Sequence, residues 1–399
     1  MKNSQQIITT HDKKERSVLL EFRWISFFAL FICPVQTALS QTEDFHGQAS
    51  GWISANHGSA PGGQTGLRYI PNLLLEEKLS DQLDANMELS LNTFTAAQYA
   101  ERESPLYQGQ IKPYRGWIRL STNKFEVRVG LQKINFGSAM IFRPLMWFDR
   151  VDPRDPLQLT DGVYAMLLRY SFLNNANIWL WGLYGNNDTK GWELAPTEKK
   201  TSEFGGRVQS PLWSGEIGAT YHHRHADVNP VTSMPNNSSS LIAPEDRLGL
   251  DGKWDIGIGV WFESVLIRQE SDFLLNKYQR QETIGADYTF AVGNGLYMAT
   301  EYFRSDNPSK PFGSAEGTSF SALSVNYPLG VVDQVSAIFY RGWKNQELYR
   351  LLMWQRTYDN WSFYLIGFWD PDNIQLYSNQ AGTNPFAGTG FQIMILFNH

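Results

Sequence analysis

Apolar and polar side chains alternate with a period of two along this chain, segment after segment, and no long stretch carries a 3.6-residue period. Over residues 83–93 the odd positions Leu83, Ala85, Met87, Leu89 and Leu91 are apolar, with Asp84, Asn86, Glu88, Ser90 and Asn92 between them. Phe125, Val127, Val129 and Leu131 alternate in the same way with Glu126, Arg128, Gly130 and Gln132. Tyr114, Gly116, Ile118 and Leu120 share a parity opposite Arg115 and Arg119, and Tyr164, Met166, Leu168, Tyr170 and Phe172 share one opposite Arg169. Ile217, Ala219 and Tyr221 oppose Glu216, Thr220 and His222, while Ile284, Ala286, Tyr288 and Phe290 oppose Thr283, Asp287 and Thr289. Successive side chains of an extended backbone point to opposite faces. Each run is therefore a strand with one greasy and one wet face, and the chain is all-β.

The connections between runs alternate in length. Short ones fall at Ser80-Asp81, Thr122-Asn123, Asn174-Asn175, Pro211, Asp251-Gly252, Gly293-Asn294-Gly295, Pro328-Leu329-Gly330 and Asp359-Asn360, with the residue types of tight hairpins. Between them lie long, polar segments: 99–107, 135–162, 186–202, 226–245, 270–278, 305–316 and 370–385. Short turns at one end and long loops at the other define a single antiparallel transmembrane β-barrel, with periplasmic turns and extracellular loops. The runs number about 18 over residues 45–397, with 16 the alternative, because 45–78 and 171–190 are the least regular. Composition fits such a barrel. Aromatic residues make up 14% of the chain, including 14 Trp, yet mean hydropathy is −0.35. A barrel places those rings on its lipid face and interfacial girdles and draws its polarity from the inner wall.

Residues 1–40 read as a secretory signal peptide. Lys13, Lys14, Arg16 and Arg23 precede the apolar run Trp24–Cys33, which is shorter than a spanning helix needs, and small Ala38 and Ser40 follow. Its removal takes away five basic and three acidic side chains, so the formal charge falls from −6 to −8. An exported acidic chain is a poor nucleic-acid binder. The single cysteine, Cys33, leaves with the signal, so thiol chemistry and c-type haem attachment are excluded from the mature chain.

The segment 135–162 differs from the other long loops. It carries the apolar cluster Met140–Phe148 together with Arg143, Asp149, Arg150, Asp152, Arg154, Asp155 and Asp161. Exposed apolar patches of that kind mark contacts, and rings of charged side chains set pore selectivity. The loop is expected to fold inward as a pore constriction; an extracellular docking surface is the competing expectation. Folded inward, Arg143, Arg150 and Arg154 would lie opposite acidic wall residues such as Glu126. Alternation assigns Glu88, Arg115, Arg119, Glu126, Arg128, Arg169, Glu263, Asp287 and Glu301 to the lumen wall, with Asp84, Glu216 and Arg350.

The final run places Phe391, Ile393, Ile395 and Phe397 on one face, and resembles the C-terminal signal read by barrel-assembly machinery. It departs from the commonest form by two further residues, Asn398 and His399. Gly130-Leu131-Gln132, Asn135-Phe136-Gly137 and the acidic Asp149…Asp152-Pro153-Arg154-Asp155 resemble a pattern in porin-like barrels of the alginate-export type. That resemblance covers about 30 residues securely; it implies a monomeric, roughly 18-stranded Gram-negative outer-membrane barrel with a charged lumen, and it carries no substrate across.

No catalytic or metal-binding pattern stands out, and no cofactor is expected. The four loop aspartates are interleaved with Arg150 and Arg154, which would neutralise a calcium site. His222-His223-Arg224-His225 puts only two histidines on one face, short of a zinc set, and reads as a solvated rim. No nucleophile sits in a motif with a positioned base. Two functions are left: passive passage of a small hydrophilic solute (a sugar, oligosaccharide or anion), or a closed barrel acting as a scaffold for a secretion or electron-transfer partner. The expected partners are the bilayer, the assembly machinery, the solute and, at the extracellular loops, a protein.

Overall fold

The structure, a computed structural model, describes residues 41–57, 62–100, 104–229, 241–270, 276–371, 386 and 388–399. The expected signal peptide lies outside these residues, as do parts of the loops after residues 57, 100, 229, 270 and 371. Eighteen strands follow in order. They are β1 (Gln41–His57), β2 (Gly63–Ser80), β3 (Leu83–Tyr99), β4 (Leu106–Ser121), β5 (Phe125–Gln132) and β6 (Val163–Ser171). Next come β7 (Asn177–Tyr184), β8 (Ser202–Leu212), β9 (Gly215–Asp227), β10 (Ile242–Asp255), β11 (Gly259–Gln269) and β12 (Tyr278–Phe290). The last six are β13 (Leu296–Asp306), β14 (Gly317–Pro328), β15 (Asp333–Gly342), β16 (Leu348–Thr357), β17 (Trp361–Trp369) and β18 (Thr389–Asn398).

Every strand pairs antiparallel with its sequence neighbours, and β1 also pairs with β18, with Ala49 opposite Phe397 and Ile53 opposite Ile393. The sheet closes on itself and has no edge, as a barrel requires. The ladder runs to the last residue: Gly47 and His399 exchange both backbone hydrogen bonds, at 3.0 and 3.1 Å. The His399 ring stacks on Tyr69 and lies 5.7 Å from Phe45. Asn398 and His399 therefore extend the closing strand.

The burial pattern is inside-out. On β10 the inward row Glu245, Arg247 and Asp251 is buried, while Leu248 and Leu250 on the outer face are more than half exposed. Asn86, Ser90 and Asn92 of β3 are buried, and Leu89 and Leu91 are exposed. Such a surface suits a lipid surround.

Local departures from simple alternation have identifiable causes. The β8–β9 and β10–β11 turns fall at residues 213–214 and 256–258, where Trp213 and Gly257 take positive φ of 55° and 93°. Pro211 and Asp251-Gly252, read as turns from their composition, lie inside β8 and β10. In β4, Arg115 pairs with Ser90 and Pro113 with Leu91, so Tyr114 is the extra residue of a bulge. Its ring, placed outside by alternation, lies 3.9 Å from the inward Arg115 guanidinium. Arg350 is a correction of the opposite sense. Tyr349, Leu351 and Met353 turn inward on β16, and Arg350 is exposed on the outer parity beside the long-loop end. Both parities of that strand are apolar, so alternation alone does not orient it.

The outer parity predicts a depth-dependent penalty. Leu89→Arg and Val129→Arg should each cost about 2–4 kcal/mol if near the bilayer midplane. Glu88→Arg and Glu126→Arg should leave the folding midpoint nearly unchanged. Urea titration of the heat-modifiable band in detergent-lipid micelles measures both sets.

Candidate functional site: the 133–162 loop and the wall opposite

Two glycines and a glutamine set the path of the loop as it leaves β5. Gly130 has φ +123°, and a Cβ there would strike the Gly116 carbonyl. Gly137 has φ +100°, and a Cβ would strike the Glu263 carboxylate. Only glycine suits either position. Between them the buried Gln132 amide donates to the carbonyls of Arg128, at 3.2 Å, and Ala165, at 2.9 Å, tying the loop's root to β6.

Beyond Gly137 two buried carboxylates of the inward face hold the loop backbone. Glu263 on β11 accepts the N–H of Ala139 at 2.8 Å and of Leu145 at 2.9 Å. Glu301 on β13 accepts the N–H groups of Met140 at 2.7 Å, Ile141 at 3.1 Å and Phe142 at 2.6 Å, together with the Trp261 indole N–H at 2.9 Å. Thr283 of β12 donates its hydroxyl to the Phe142 carbonyl. Hydrogen bonds to an ionised acceptor are about twice as strong as neutral ones. Residues read as free lumen lining, Glu263 and Glu301, are thus covered by the segment they bind.

The apolar cluster is buried: Phe142, Leu145, Met146, Trp147 and Phe148 are all at most 4% exposed. Phe142 stacks on Phe303 and abuts Tyr340. Phe148 and Phe136 pack on Trp181 of β7, and Phe148 meets His222 edge-on. The loop charges mostly satisfy one another. Arg154, buried, forks onto Asp152 and reaches Asp370 at 2.8 Å. Arg143 lies 3.5 Å from Asp149, and Arg150 donates to the Thr189 carbonyl at 2.6 Å. Asp155 accepts the Leu157 N–H within its own turn, and Asp161 pairs with Lys112 of β4 at 2.6 Å. Glu126 is paired with Arg128 at 2.9 Å, so none of the three loop arginines stands opposite it as expected. Among the described residues no group of three His, Cys, Asp or Glu is arranged to hold a metal.

A second loop, 185–201, joins the first. Trp192 stacks 4.7 Å from Phe303 and donates its indole N–H to the Arg143 carbonyl. Glu193 pairs with Arg224 and Arg247, which share Glu245. The histidine tract therefore splits by face. His222, 1% exposed, accepts from the Trp181 indole and lies 3.2 Å from Glu203, and Arg224 is equally buried. His223 faces outward, paired with Asp246. The solvated-rim reading fails for His222 and Arg224, because the two loops roof over that end of the barrel.

The wall of β2–β6 is different. Arg68, Arg115, Arg119, Arg128 and Arg169 are half-buried on the inward parity. Arg169 lies over Trp179 at 3.8 Å and Arg128 over Trp117 at 4.7 Å, while Arg119 donates to Asn86. Among the described residues the buried Nε–H groups of Arg68, Arg128 and Arg169 have no hydrogen-bond partner. Glu88 accepts from Asn72 and Asp287 from Tyr297, whereas exposed Asp84 and Glu216 lie near the short-turn end. Asp370, Glu193, Arg247, Arg68 and Lys112 carry no role in the sequence reading; inward parity marks Arg68 on β2 and Arg247 on β10, while the bulge at Tyr114 reverses the parity of Lys112.

Burial raises the Asp149 carboxyl despite Arg143 and Lys133, and burial lowers the Arg150 guanidinium. Asp370 is pushed up by burial to about 6, with Arg154 opposing. Arg154 itself is held above its ordinary value by Asp152 and Asp370, against burial.

No known protein family matches the sequence, and no curated protein does. Solved structures do match. OccAB1 of Acinetobacter baumannii has a TM-score of 0.55 at 9% identity, covering 91% of this chain and 98% of its own. OccK7 (OpdD) of Pseudomonas aeruginosa has 0.53 at 10% identity, covering 90% and 99%. OccAB4 of A. baumannii has 0.52 at 10% identity, covering 92% and 100%. The chain has the fold of a porin-like outer-membrane barrel, closed and 18-stranded.

Glu301→Leu leaves three loop N–H groups unpaired at about 1–3 kcal/mol for a buried orphan group, and should make residues 139–142 protease-sensitive while the barrel stays folded. Limited proteolysis with mass analysis reads this. For Asp370, raised above its ordinary 3.8, the stabilising contribution is complete below that value and is lost as pH rises through about 6. Asp370→Asn keeps the neutral form and leaves Arg154 its Asp152 fork. Its unfolding midpoint should equal the parent's at pH 4 and be no lower at pH 7.5, with the pH 4–6.5 slope flattened.

Proposed function

We propose that the protein is an outer-membrane channel for passive passage of small hydrophilic solutes, non-catalytic, with the 133–162 loop as its constriction and a preference for anions. One observation carries this reading. The loop consumes the inward carboxylates Glu263 and Glu301 as acceptors for its own backbone, while Arg68, Arg115, Arg119 and Arg169 of the β2–β6 wall make no ion pair with a carboxylate among the described residues. The carboxylates under the loop are spent on its backbone, whereas the β2–β6 wall carries Arg68, Arg115, Arg119 and Arg169 beside Glu88 and the Glu126–Arg128 pair. Fixed charges on low-dielectric walls concentrate counter-ions in the passage between them. The C-terminal strand, continued by His399, is read as the element that assembly machinery recognises, and the long loops as the surface open to a protein partner.

Single-channel recording in planar bilayers tests the reading. Replacing residues 140–158 with a short Gly/Ser link should raise conductance severalfold, because Glu263 and Glu301 then hydrate in a wider lumen. Arg128→Glu with Arg169→Glu should shift the reversal potential toward cations with little change in conductance. If the parent protein gives no conductance steps, the closed-scaffold reading replaces this one.

A further inference from the structure

Charge on the lipid-facing side of a barrel is costly, and on this wall most outward arginines are paired. Arg268 pairs with Glu270, Arg280 and Arg304 with Asp306, and Arg356 with Asp333. Arg341 of β15 and Arg350 of β16 are exposed on the same outer parity, at the long-loop end. Neither makes an ion pair with a carboxylate among the described residues, and Lys344 in the connection between their strands is exposed too. We propose that Arg341 and Arg350 form a binding site for the phosphate groups of an outer-leaflet lipid. The site needs only the barrel in its membrane and is independent of the channel reading.

The register brings the two side chains together. Arg350 stands opposite Phe339 on one side and Trp369 on the other, while Arg341 stands between Ser321 and Leu348. The arginines are thus diagonal neighbours on one face, about 7–8 Å apart at the backbone. Two guanidinium forks at that spacing can meet on one phosphate, each as a pure donor to its oxygens. The carboxylates that flank these strand ends are turned to the inner side. Glu347 accepts from the buried Tyr349 hydroxyl at 3.5 Å, and Asp370 is held by Arg154. The outward patch therefore offers positive charge alone.

Its surroundings fix the depth and the source of the anion. Phe339, Trp343 and Trp369 are exposed around the two arginines, and the Arg341 guanidinium lies 4.8 Å from the Trp343 ring centroid. The Trp343 indole N–H donates to the Ser321 hydroxyl at 2.9 Å, which holds that ring at the patch. Exposed Trp marks the headgroup level of a membrane protein. One step deeper on the outer row of β16 comes exposed Leu352, with exposed Leu365 on β17 beside it, the start of the apolar belt. A cationic patch at that level and on that parity faces the bilayer, so the anion presented to it is a lipid headgroup's.

Native mass spectrometry of the folded full chain in detergent tests the site, with diphosphoryl lipid A and its dephosphorylated counterpart as probes. The diphosphoryl form should bind more tightly. Arg341→Gln and Arg350→Gln should each weaken it roughly fivefold, the scale of one cation at an anionic lipid surface. The double variant should bind both lipids alike. Arg268→Gln, whose parent side chain is already paired with Glu270, should change nothing. Each single variant covers the case in which the other fails to fold, and rising NaCl should weaken only the diphosphoryl lipid on the parent protein. Equal binding of the two lipids by the parent, or binding unchanged in both glutamine variants, overturns the site. Displacement of the lipid by equimolar inorganic phosphate also overturns it, because the ligand is then a free anion.

Discussion

A peptide group in hydrocarbon has no water to bond, so every backbone N–H and C=O at that depth needs a partner in the chain. Closure of β18 onto β1 meets that demand for all eighteen strands at once. The rest follows from it. A closed wall has an outside that must be apolar and an inside free to be polar, hence exposed Leu248 and Leu250 beside buried Arg247 and Asp251 on the same strand. The closed wall also leaves an interior that side chains alone do not fill, which is where the loop is held.

Two kinds of force hold it, and their division of labour is visible. Phe142, Leu145, Met146, Trp147 and Phe148 supply non-directional burial at about 25 cal/mol per Å². The carboxylates of Glu263 and Glu301 supply direction, because each satisfies N–H groups that a loop has no ladder to satisfy. Burial alone would tolerate several paths for the chain; five backbone N–H groups aimed at two fixed carboxylates tolerate far fewer. Gly137 shows the tightness of the arrangement, since even a methyl there would collide with Glu263.

Much of this was legible in the sequence. Period-two alternation states which parity faces in, and the polar parity of β3, β5 and β6 lies inward where the opposite face is a run of apolar side chains. It is silent where both parities are apolar, as around Arg350, and it slips by one where a bulge inserts a residue, as at Tyr114. The loop was recognisable by its composition, and its partners were not. Whether Arg154 meets Glu126 or Asp370 depends on how the loop crosses a space about which the strand pattern says nothing. Glu263 and Glu301 look like any other inward carboxylates until the loop backbone is seen to end on them.

The seam between β1 and β18 has a kinetic side. It pairs Gln48 with Asn398 and ends on the Gly47–His399 exchange, so the contact that closes the sheet joins residues 350 apart in sequence. Loop-closure entropy is paid in full before such a contact returns anything, which makes barrels of this kind slow and late to close. Here the ladder extends beyond β18 to His399. Strands can pair with their neighbours as they emerge, but the ring cannot form until β18 has been made, and until then both edges stand open. A chain so arranged is committed to waiting, unclosed and in need of protection, for the strand farthest from its first.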